Sequence, residues 1–310
     1  MNKHIPVLLD ELINKLSIKP GDNIIDATLG GGGHALEAIE HLDRKGNFVG
    51  IDVDKKAIND FGDLLKRKEY ELVQEKIYFK DKLKIYLVKD NFRNINNIIE
   101  RIGIDEVSVI YADLGFSTNQ LEENLSFKGK GKLDLRMDES LQVTARDLVN
   151  GMYQKELEDI FRQYADEKLS QDIAKQIIQE RQNSKITTKE KLREIIQDVV
   201  QKKRKDTKRL NKTEQRIFQA LRISVNDELN ALRELCDKSF DLLSAGGKLG
   251  IISFHSGEDR IVKHKMKDWV KSGKCKWVNE LIRPTNQEIK KNPKSRSAKL
   301  RIVRKSGDNN

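Results

Sequence analysis

The feature that most constrains the fold of this chain is a run of four glycines, Gly30–Gly33, placed directly after a short apolar segment, residues 23–28. A second apolar segment, residues 46–52, follows after a stretch of helical length. The order of apolar segment, glycine turn, helix and apolar segment predicts a βαβ unit with two parallel strands. Because helices cover both faces of a parallel sheet, we expect an α/β fold around a mostly parallel sheet.

Further apolar segments predict the remaining strands of this sheet, at residues 84–88, 106–112, 248–254 and 298–303. Between the second and third of these, no other strand is predicted, and apolar residues recur at helical spacing instead. A single long helix is expected from Ile217 to Leu243, where apolar residues are three or four positions apart. We therefore predict a sheet domain formed by residues 1–114 and 211–310, with an inserted, mainly helical substrate-recognition domain at residues 115–210.

The spacing within the glycine turn predicts the class of ligand. Gly30, Gly32 and Ala35 form a G-x-G-x-x-A pattern between a strand and a helix, and Asp52 ends the next strand. Such glycines allow a tight turn close to a ligand, while the helix that begins near His34 offers unpaired N–H groups. A carboxylate at the second strand end can accept hydrogen bonds from both hydroxyls of a ribose. An adenosine cofactor is favoured, which leaves hydride transfer with a dinucleotide and methyl transfer with S-adenosylmethionine both open.

The loop after the fourth strand bears on this choice. Residues 113–117 lie at the carboxyl edge of the predicted sheet, where open α/β sheets bind ligands. Methyltransferases that act on amino groups commonly carry an acidic or amide residue, two prolines and an aromatic residue at this point. Asp113 and Phe116 occupy the outer positions here, with Leu114 and Gly115 in place of the prolines.

Four further blocks of sequence, together with the glycine turn and the Asp113 loop, closely resemble the bacterial 16S ribosomal RNA cytosine-N4 methyltransferase family, the MraW proteins. The blocks are residues 4–9, 132–138, 252–262 and 292–301. The resemblance runs from His4 to about Arg304. It implies a class I (Rossmann-like) methyltransferase fold with an inserted helical domain and S-adenosylmethionine as the donor. It also implies an acceptor cytidine in the decoding centre (P site) of 16S ribosomal RNA, within the small ribosomal subunit.

The resemblance implies which residues bind the donor. These are Gly32, Gly33, His34, Asp52, Phe92, Asp113 and Gln120, to which the glycine pattern adds Gly30. Phe92 would cover one face of the adenine, although a core phenylalanine fits the sequence equally well. The chain departs from the family pattern at Asn119 and Lys132, where proline is usual, and at Leu135, where methionine is usual. Gly257 replaces the usual leucine beside the loop that carries His255.

The acceptor base needs a different set of residues. We expect Asp113 to accept a hydrogen bond from the N4–H group of cytosine, with His255 as the second choice. A base within folded RNA must be swung out to react, and Phe116 would offer it a stacking surface. Arg136 and Asp138 would clamp the nucleotide.

Charge is distributed unevenly along the chain and predicts a polyanionic partner. The formal net charge is +10, and residues 260–305 contain 16 Lys and Arg but three Asp and Glu. A second basic run covers residues 202–209. Four basic residues of the tail are expected to contact RNA phosphates, namely Lys294, Arg296, Lys299 and Arg301. The alternative is that Arg296 and Arg301 brace the last strand.

Composition disfavours several other classes of protein. No apolar run reaches the roughly 18 residues of a membrane span, and Asp10 and Glu11 come too early for a signal peptide, so a cytoplasmic protein is expected. Cys236 and Cys275 form no CxxC pair and the histidines are scattered, so neither a disulfide nor a metal site is indicated. The oligomeric state is left open. Two functional alternatives remain: a nicotinamide-dependent oxidoreductase, and a non-catalytic ribosome-assembly factor with a vestigial pocket.

Overall fold

The chain folds into two compact units. A computed structural model describes residues 5–115, 125, 131–204 and 207–307. Met1–Ser117 and Leu229–Asn310 together form the first unit, and Thr118–Glu228 forms the second. The first unit is therefore built from two stretches of chain, between which the second unit is inserted.

Among the described residues, one nine-stranded sheet forms the centre of the first unit. Its strands in chain order are β1 (Asn23–Asp26), β2 (Lys45–Asp52), β3 (Glu71–Gln74), β4 (Ile77–Lys80), β5 (Lys82–Lys89), β6 (Val107–Asp113), β7 (Leu243–Ser253), β8 (Cys275–Ile282) and β9 (Lys299–Lys305). Their order across the sheet is β3-β4-β5-β2-β1-β6-β7-β9-β8. The five central strands, from β5 to β7, are parallel, and the two strands at either edge run antiparallel to their neighbours.

Helices cover both faces of this sheet. In chain order the α-helices are α1 (Leu9–Leu16), α2 (Gly33–His41), α3 (Lys55–Arg67), α4 (Ile95–Ile102), α5 (Ala145–Gly151), α6 (Gln154–Ala165), α7 (Ser170–Asn183), α8 (Lys189–Arg204), α9 (Thr207–Asn226), α10 (Glu228–Leu242), α11 (Ser256–Lys271) and α12 (Asn286–Lys291). The apolar sides of α1, α2 and α3 form the core on one face, and those of α4, α10 and α11 form the core on the other. None of the described helices combines the length and the apolar character that a membrane span requires.

The central strands show why the sequence dictates this arrangement. Successive side chains of a strand point to opposite faces. Ile24 of β1 accordingly lies in one core, and its neighbour Ile25 lies in the other. A strand buried on both faces reads as a continuous apolar run, which is the pattern that predicted β1 and β2. The predicted class I α/β fold with its mostly parallel sheet is confirmed.

The strands β3, β4 and β8 were not predicted. All four residues of β3 are exposed, and Leu72 and Val73 are adjacent rather than separated by a polar residue. The strand therefore lacks the period of two that marks a half-buried strand. In β8, polar residues such as Lys276, Asn279 and Glu280 interrupt the apolar pattern, so nothing in the local sequence distinguishes it from a loop.

The prediction of one helix from Ile217 to Leu243 is wrong. Helix α9 ends at Asn226, α10 begins at Glu228, and Asp227 between them has a left-handed backbone with φ 50°. The three-and-four spacing of apolar residues continues across this break, so periodicity does not reveal it. The local signal is the Asn-Asp pair, because these two residue types adopt the left-handed conformation more readily than most.

The second unit has an apolar core of its own, to which α5 to α9 all contribute. Its buried members include Val149, Phe161, Ile177, Ile196 and Leu221. The unit continues to Glu228, beyond the predicted end at residue 210, because Ile217 and Leu221 of α9 lie in this core rather than in a core of the sheet. The described part of this unit contains an isolated bridge between Lys132 and Thr188 but no strand.

Candidate active site

The carboxyl ends of the parallel strands form an acidic edge on the first unit. Strand β1 lies between β2 and β6, at the point where the order of the strands reverses, and open α/β sheets bind ligands at such a point. Asp26, Asp52 and Asp113 are the last residues of β1, β2 and β6, and Asp90 directly follows β5. The sequence had predicted Asp52 and Asp113 as site residues, and both lie at this edge.

The glycine turn is tied to the end of β2 through Asp52. Gly30 has a left-handed backbone with φ 49°, and its N–H donates to Asp52 Oδ2 at 2.7 Å. The N–H of Asp54 donates to the other oxygen, Oδ1, at 2.8 Å. Burial raises the pKa of Asp52 to about 6, although these two hydrogen bonds oppose the rise. The sequence spacing had predicted that Asp52 and the glycine turn act together. The structure holds the Asp52 carboxylate in place with two backbone donors.

At Gly32 and Gly33 the protein's own packing leaves no room for a side chain. A Cβ on Gly32, which has φ 74°, would lie 2.2 Å from the ring of Phe61, and a Cβ on Gly33 would lie 2.2 Å from Cγ of Pro6. These two glycines therefore make room for the protein's own side chains. At Gly30, by contrast, the nearest atom to an added Cβ is a carbonyl oxygen 3.7 Å away, so open space adjoins the first glycine of the turn.

Three side chains connect the glycine turn to the end of β6. The backbone N–H of Asp113 donates to Thr28 Oγ1 at 2.6 Å, and Asp113 Oδ1 accepts from the N–H of Gly115 at 3.0 Å. The buried His34 ring places Nε2 2.9 Å from the carbonyl oxygen of Val7, so Nε2 carries the proton. Its Nδ1 lies 3.6 Å from Asp113 Oδ2, which is too long for a direct hydrogen bond. The Asp113 carboxylate is held at the strand end with Oδ2 facing the His34 ring.

The relationship to known proteins separates methyl transfer from hydride transfer. Residues 1–306 match the MraW methylase family. The chain belongs to this family. It is similar to the ribosomal RNA small subunit methyltransferase H of Clostridium botulinum (strain Loch Maree / Type A3), with 39% identity over 98% of this chain and 99% of the relative. The protein of the same name from Caldicellulosiruptor saccharolyticus is 38% identical over 98% of this chain and 100% of the relative. Among solved structures, a putative rRNA methylase from Clostridium thermocellum matches with a TM-score of 0.49 and 15% identity, over 97% of this chain and 99% of that one.

As a member of the MraW family, the protein is an S-adenosylmethionine-dependent methyltransferase. The residues of the acidic edge fit this donor. Each oxygen of Asp52 keeps a second lone pair after accepting one backbone hydrogen bond, so it can accept from a ribose hydroxyl as well. Open space adjoins Gly30. The donor carries a positive sulfonium and ammonium group, which the ionised carboxylates of Asp52 and Asp113 would attract.

Asp26 is a member of the edge that the sequence analysis missed. It is 1% exposed, and its Oδ1 accepts from the N–H of Thr28 at 3.0 Å. Burial and, to a smaller extent, the nearby charges of Asp113 and Asp52 raise its pKa to about 7, although two hydrogen bonds oppose the rise. The signal that could have found it is an acidic residue at the end of an otherwise apolar strand.

The raised pKa of Asp26 makes the unfolding free energy depend on pH. Because the folded-state pKa of about 7 lies above the ordinary value of 3.8, the folded protein binds more protons between these values, and stability falls as pH rises through this range. At 1.36 kcal/mol per pH unit the loss from pH 5 to pH 8 is on the order of 3 kcal/mol. We expect the Asp26→Asn variant, compared with the natural protein in urea unfolding at the two pH values, to lack this loss. Equal pH dependence of the two proteins would show that Asp26 is ionised in the folded state.

His255 lies at the start of α11 and acts as its cap in the structure. The N–H of Glu258 donates to its Nδ1 at 3.4 Å, and its Nε2 lies 3.0 Å from Glu258 Oε1. A Cβ on Gly257 would lie 3.1 Å from Nδ1 of His255. Gly257, which stands where the family pattern has leucine, therefore lies where the His255 ring packs against the backbone of α11. Nδ1 is engaged by α11, whereas the buried Nε2 forms no hydrogen bond with the described residues. A role for His255 as acceptor for N4–H stays a prediction.

The aromatic and amide residues predicted around the donor are only partly described. Phe92 begins a 3₁₀ turn two residues beyond the end of β5, is half-buried, and packs against the core that includes α4. Both roles considered for Phe92, as a cover for the adenine and as a core residue, stay predictions. Phe116 and Gln120 lie outside the described residues.

The predicted phosphate contacts of the tail divide into two groups. Lys294 and Arg296 are exposed, within a 3₁₀ turn at residues 293–297. Lys299 and Arg301 both donate to Asp259 at 2.8 Å, and Arg301 is 4% exposed. Burial works against ionisation of Asp259, but these two donors hold its pKa below the ordinary value. Arg301 braces β9, as the alternative proposed, and the structure gives its predicted phosphate contact no support.

Arg136 and Asp138 belong to a loop of the helical unit. Arg136 donates to both carboxylate oxygens of Asp134 at 2.7 and 2.9 Å, and also to the carbonyl oxygens of Glu139 and Leu141. The hydrogen bonds from Arg136 hold the pKa of Asp134 below its ordinary value. Asp138 accepts from the N–H of Ser140 at 3.0 Å. Arg136 therefore braces its own loop, and the predicted clamp on the nucleotide would have to use side chains that are already engaged.

Proposed function

We propose that this methyltransferase transfers the methyl group of S-adenosylmethionine to N4 of a cytidine in the decoding centre, at the P site, of 16S ribosomal RNA in the small ribosomal subunit. The observation that carries the proposal is the Asp113 carboxylate, fixed at the end of β6 on the same edge of the sheet as Asp52, with the end of β1 between them. The printed names of the relatives, small subunit ribosomal RNA methyltransferases, support the substrate class. The reaction would take place in the cytoplasm.

Donor binding falls to the glycine turn and the end of β2. When bound, S-adenosylmethionine supplies an electrophilic methyl group on a sulfonium. Asp52 accepts the ribose hydroxyls, and the backbone at Gly30 allows the close approach. His34, in the first turn of α2, is fixed by its hydrogen bond to the Val7 carbonyl, with Nδ1 3.6 Å from Asp113 Oδ2. Phe92 would cover the adenine, and the family resemblance adds Gln120.

Asp113 is the residue that would activate the N4 amine of the acceptor cytosine. The N4 lone pair of cytosine is delocalised into the ring, so the amine is a weak nucleophile and must be aligned with the methyl group. A hydrogen bond from N4–H to Asp113 would restrain the amine and localise its lone pair. Thr28 and Gly115 hold the backbone and Oδ1 of Asp113, so the geometry exists before the base arrives. Phe116 is the proposed stacking surface for the extruded base.

Different observations bear on the two functional alternatives that the sequence left open. Family membership replaces the nicotinamide-dependent oxidoreductase with a methyltransferase. A non-catalytic assembly factor would not need the Asp52 and Asp113 hydrogen-bond networks, which are intact.

Mass spectrometry of small-subunit RNA tests the proposal. Cells that lack the gene are expected to lose N4-methylcytidine from the decoding centre, and complementation with the natural gene should restore it. An Asp113→Ala gene should fail to restore it. Ribosomal RNA that keeps the modification without the gene would refute the proposed site, and a different lost methyl group would move the target to another nucleotide.

A further inference from the structure

Helix α11 carries a row of cations along one side. Arg260, Lys263, Lys267 and Lys271 are three or four positions apart, and residues at this spacing share one face of an α-helix. Arg260, Lys267 and Lys271 are exposed and Lys263 is half-buried. At 1.5 Å per residue, the row is about 16 Å long. These four residues are called the α11 row below.

The other sides of α11 fix the helix to the first unit. Val262 and Met266 are buried in the core of the sheet, and Trp269 packs against the same core. Lys265 lies on a different side from the row and donates to both carboxylate oxygens of Asp237 on α10, at 2.6 and 2.8 Å. The row therefore points away from the sheet on an element whose orientation is set by packing.

Within the described part of the chain, the α11 row is unpaired. None of its four cations forms a hydrogen bond or an ion pair with a described residue. Lys265, Lys299 and Arg301, by contrast, all pair with aspartates. Like charges three or four positions apart on a helix repel each other and weaken it slightly. A polyanion with regularly spaced charges would remove this repulsion.

We infer that the α11 row is a docking surface for the phosphate backbone of the ribosomal RNA substrate, an inference that rests on the proposed function. Helix α11 begins at Ser256, just after β7 ends at the acidic edge. The Arg260 end of the row is therefore the end nearer to the donor site. Lysine and arginine contact phosphates as charges and add affinity without reading bases. The row would hold the RNA backbone while the target nucleotide reaches Asp113.

The salt dependence of RNA binding tests this inference. The variant R260Q/K263Q/K267Q/K271Q removes four charges but keeps helix-forming side chains. Each phosphate contact contributes about 0.7 to 0.9 to the slope of log affinity against log salt concentration, so four contacts contribute about 3. We expect the slope for 16S ribosomal RNA and for small subunits, measured by filter binding between 50 and 300 mM KCl, to fall by about 3 in magnitude.

A matched control removes four other exposed cations from the same unit. The variant K66Q/R67Q/K68Q/K82Q changes the net charge equally at the end of α3 and the start of β5, positions that are exposed. Its slope is expected to match that of the natural protein. Affinity for S-adenosylhomocysteine, measured by calorimetry, reports whether each variant keeps the folded sheet. The variant K263R/K267R/K271R should keep the full slope, because arginine retains the charge.

The outcomes separate this inference from the proposed function. The docking surface would be overturned if R260Q/K263Q/K267Q/K271Q had the salt slope of the natural protein, or if the control variant lost as much of the slope. A loss seen with intact subunits but not with protein-free 16S RNA would also overturn it, since the row would then face a ribosomal protein. If the slope falls as expected but N4-methylcytidine persists in cells without the gene, the row stands and the proposed target fails.

Discussion

The Asp113→Asn variant is expected to lose methyl transfer to small-subunit RNA by two to four orders of magnitude, the range that removal of a positioned proton acceptor produces. Asparagine keeps an oxygen that can accept from the N–H of Gly115, and its backbone N–H can still donate to Thr28. The fold should therefore survive while the negative charge beside the acceptor amine is lost. Single-turnover transfer of labelled methyl to saturating subunits measures the effect.

Asp22→Asn is the matched control for this experiment. Asp22 lies before β1, at the amino end of the sheet, where its Oδ2 accepts from the N–H of Lys19 at 2.8 Å. It carries the same charge change but is far along the strand from the acidic edge. Near-normal turnover by the Asp113→Asn variant would remove this carboxylate from the mechanism, and equal losses in both variants would point to a general effect of charge.

Asp52→Asn is expected to weaken the binding of S-adenosylhomocysteine about 100-fold, since two hydrogen bonds to a charged acceptor at about 1.5 kcal/mol each amount to two decades of affinity. The asparagine NH₂ group would also face the donor N–H of Gly30 or of Asp54. Calorimetric titration measures the loss. Asp54→Asn is the control, because Asp54 caps α3 through the N–H of Lys56 and asparagine caps helices equally well.

The natural protein and the Asp52→Asn variant should also differ in how their affinity for S-adenosylhomocysteine depends on pH. The pKa of Asp52 is about 6 in the free protein, and ribose hydroxyls favour the ionised form as their acceptor. Affinity of the natural protein is therefore expected to fall as pH drops through 6, and affinity of Asp52→Asn should lack this fall. A natural protein with constant affinity from pH 5 to pH 8 would show that Asp52 does not accept from the ligand.

The parts of the fold that sequence predicts are those that local patterns determine. The doubly buried strands β1 and β2 read as apolar runs. Asp54 belongs to a residue type that favours helix N-caps, and it caps α3 by accepting from the N–H of Lys56 at 2.8 Å. The break at Asp227 and the exposed strand β3 were missed, because periodicity continues through the first and is absent from the second. The local signal of the break is the Asn-Asp pair alone, and β3 is fixed by its pairing with β4 rather than by burial of its side chains.

The candidate site divides in the same way. The Gly30–Asp52 pair follows a known spacing, and the structure joins the two residues at 2.7 Å. The engagement of Arg301 by Asp259 joins residues 42 positions apart, and no local motif announces it. Composition indicated a basic C-terminal region, but it could not show which of its cations form ion pairs within the protein. The structure shows Lys299 and Arg301 paired with Asp259, whereas the α11 row has no partner among the residues that the structure describes.

The insertion of one unit into another has a consequence for biosynthesis. Strands β6 and β7 are neighbours, with Asp113 opposite Ile252, yet the whole of Thr118–Glu228 separates them in the chain. Until β7 has left the ribosome exit tunnel, β6 therefore offers an unpaired strand edge that is prone to aggregation. The intervening helical segment is continuous and has its own core, so it can fold first and shorten the loop that β6 and β7 must close. The nascent chain must therefore keep the edge of β6 from pairing with other chains while the entire helical unit is synthesised.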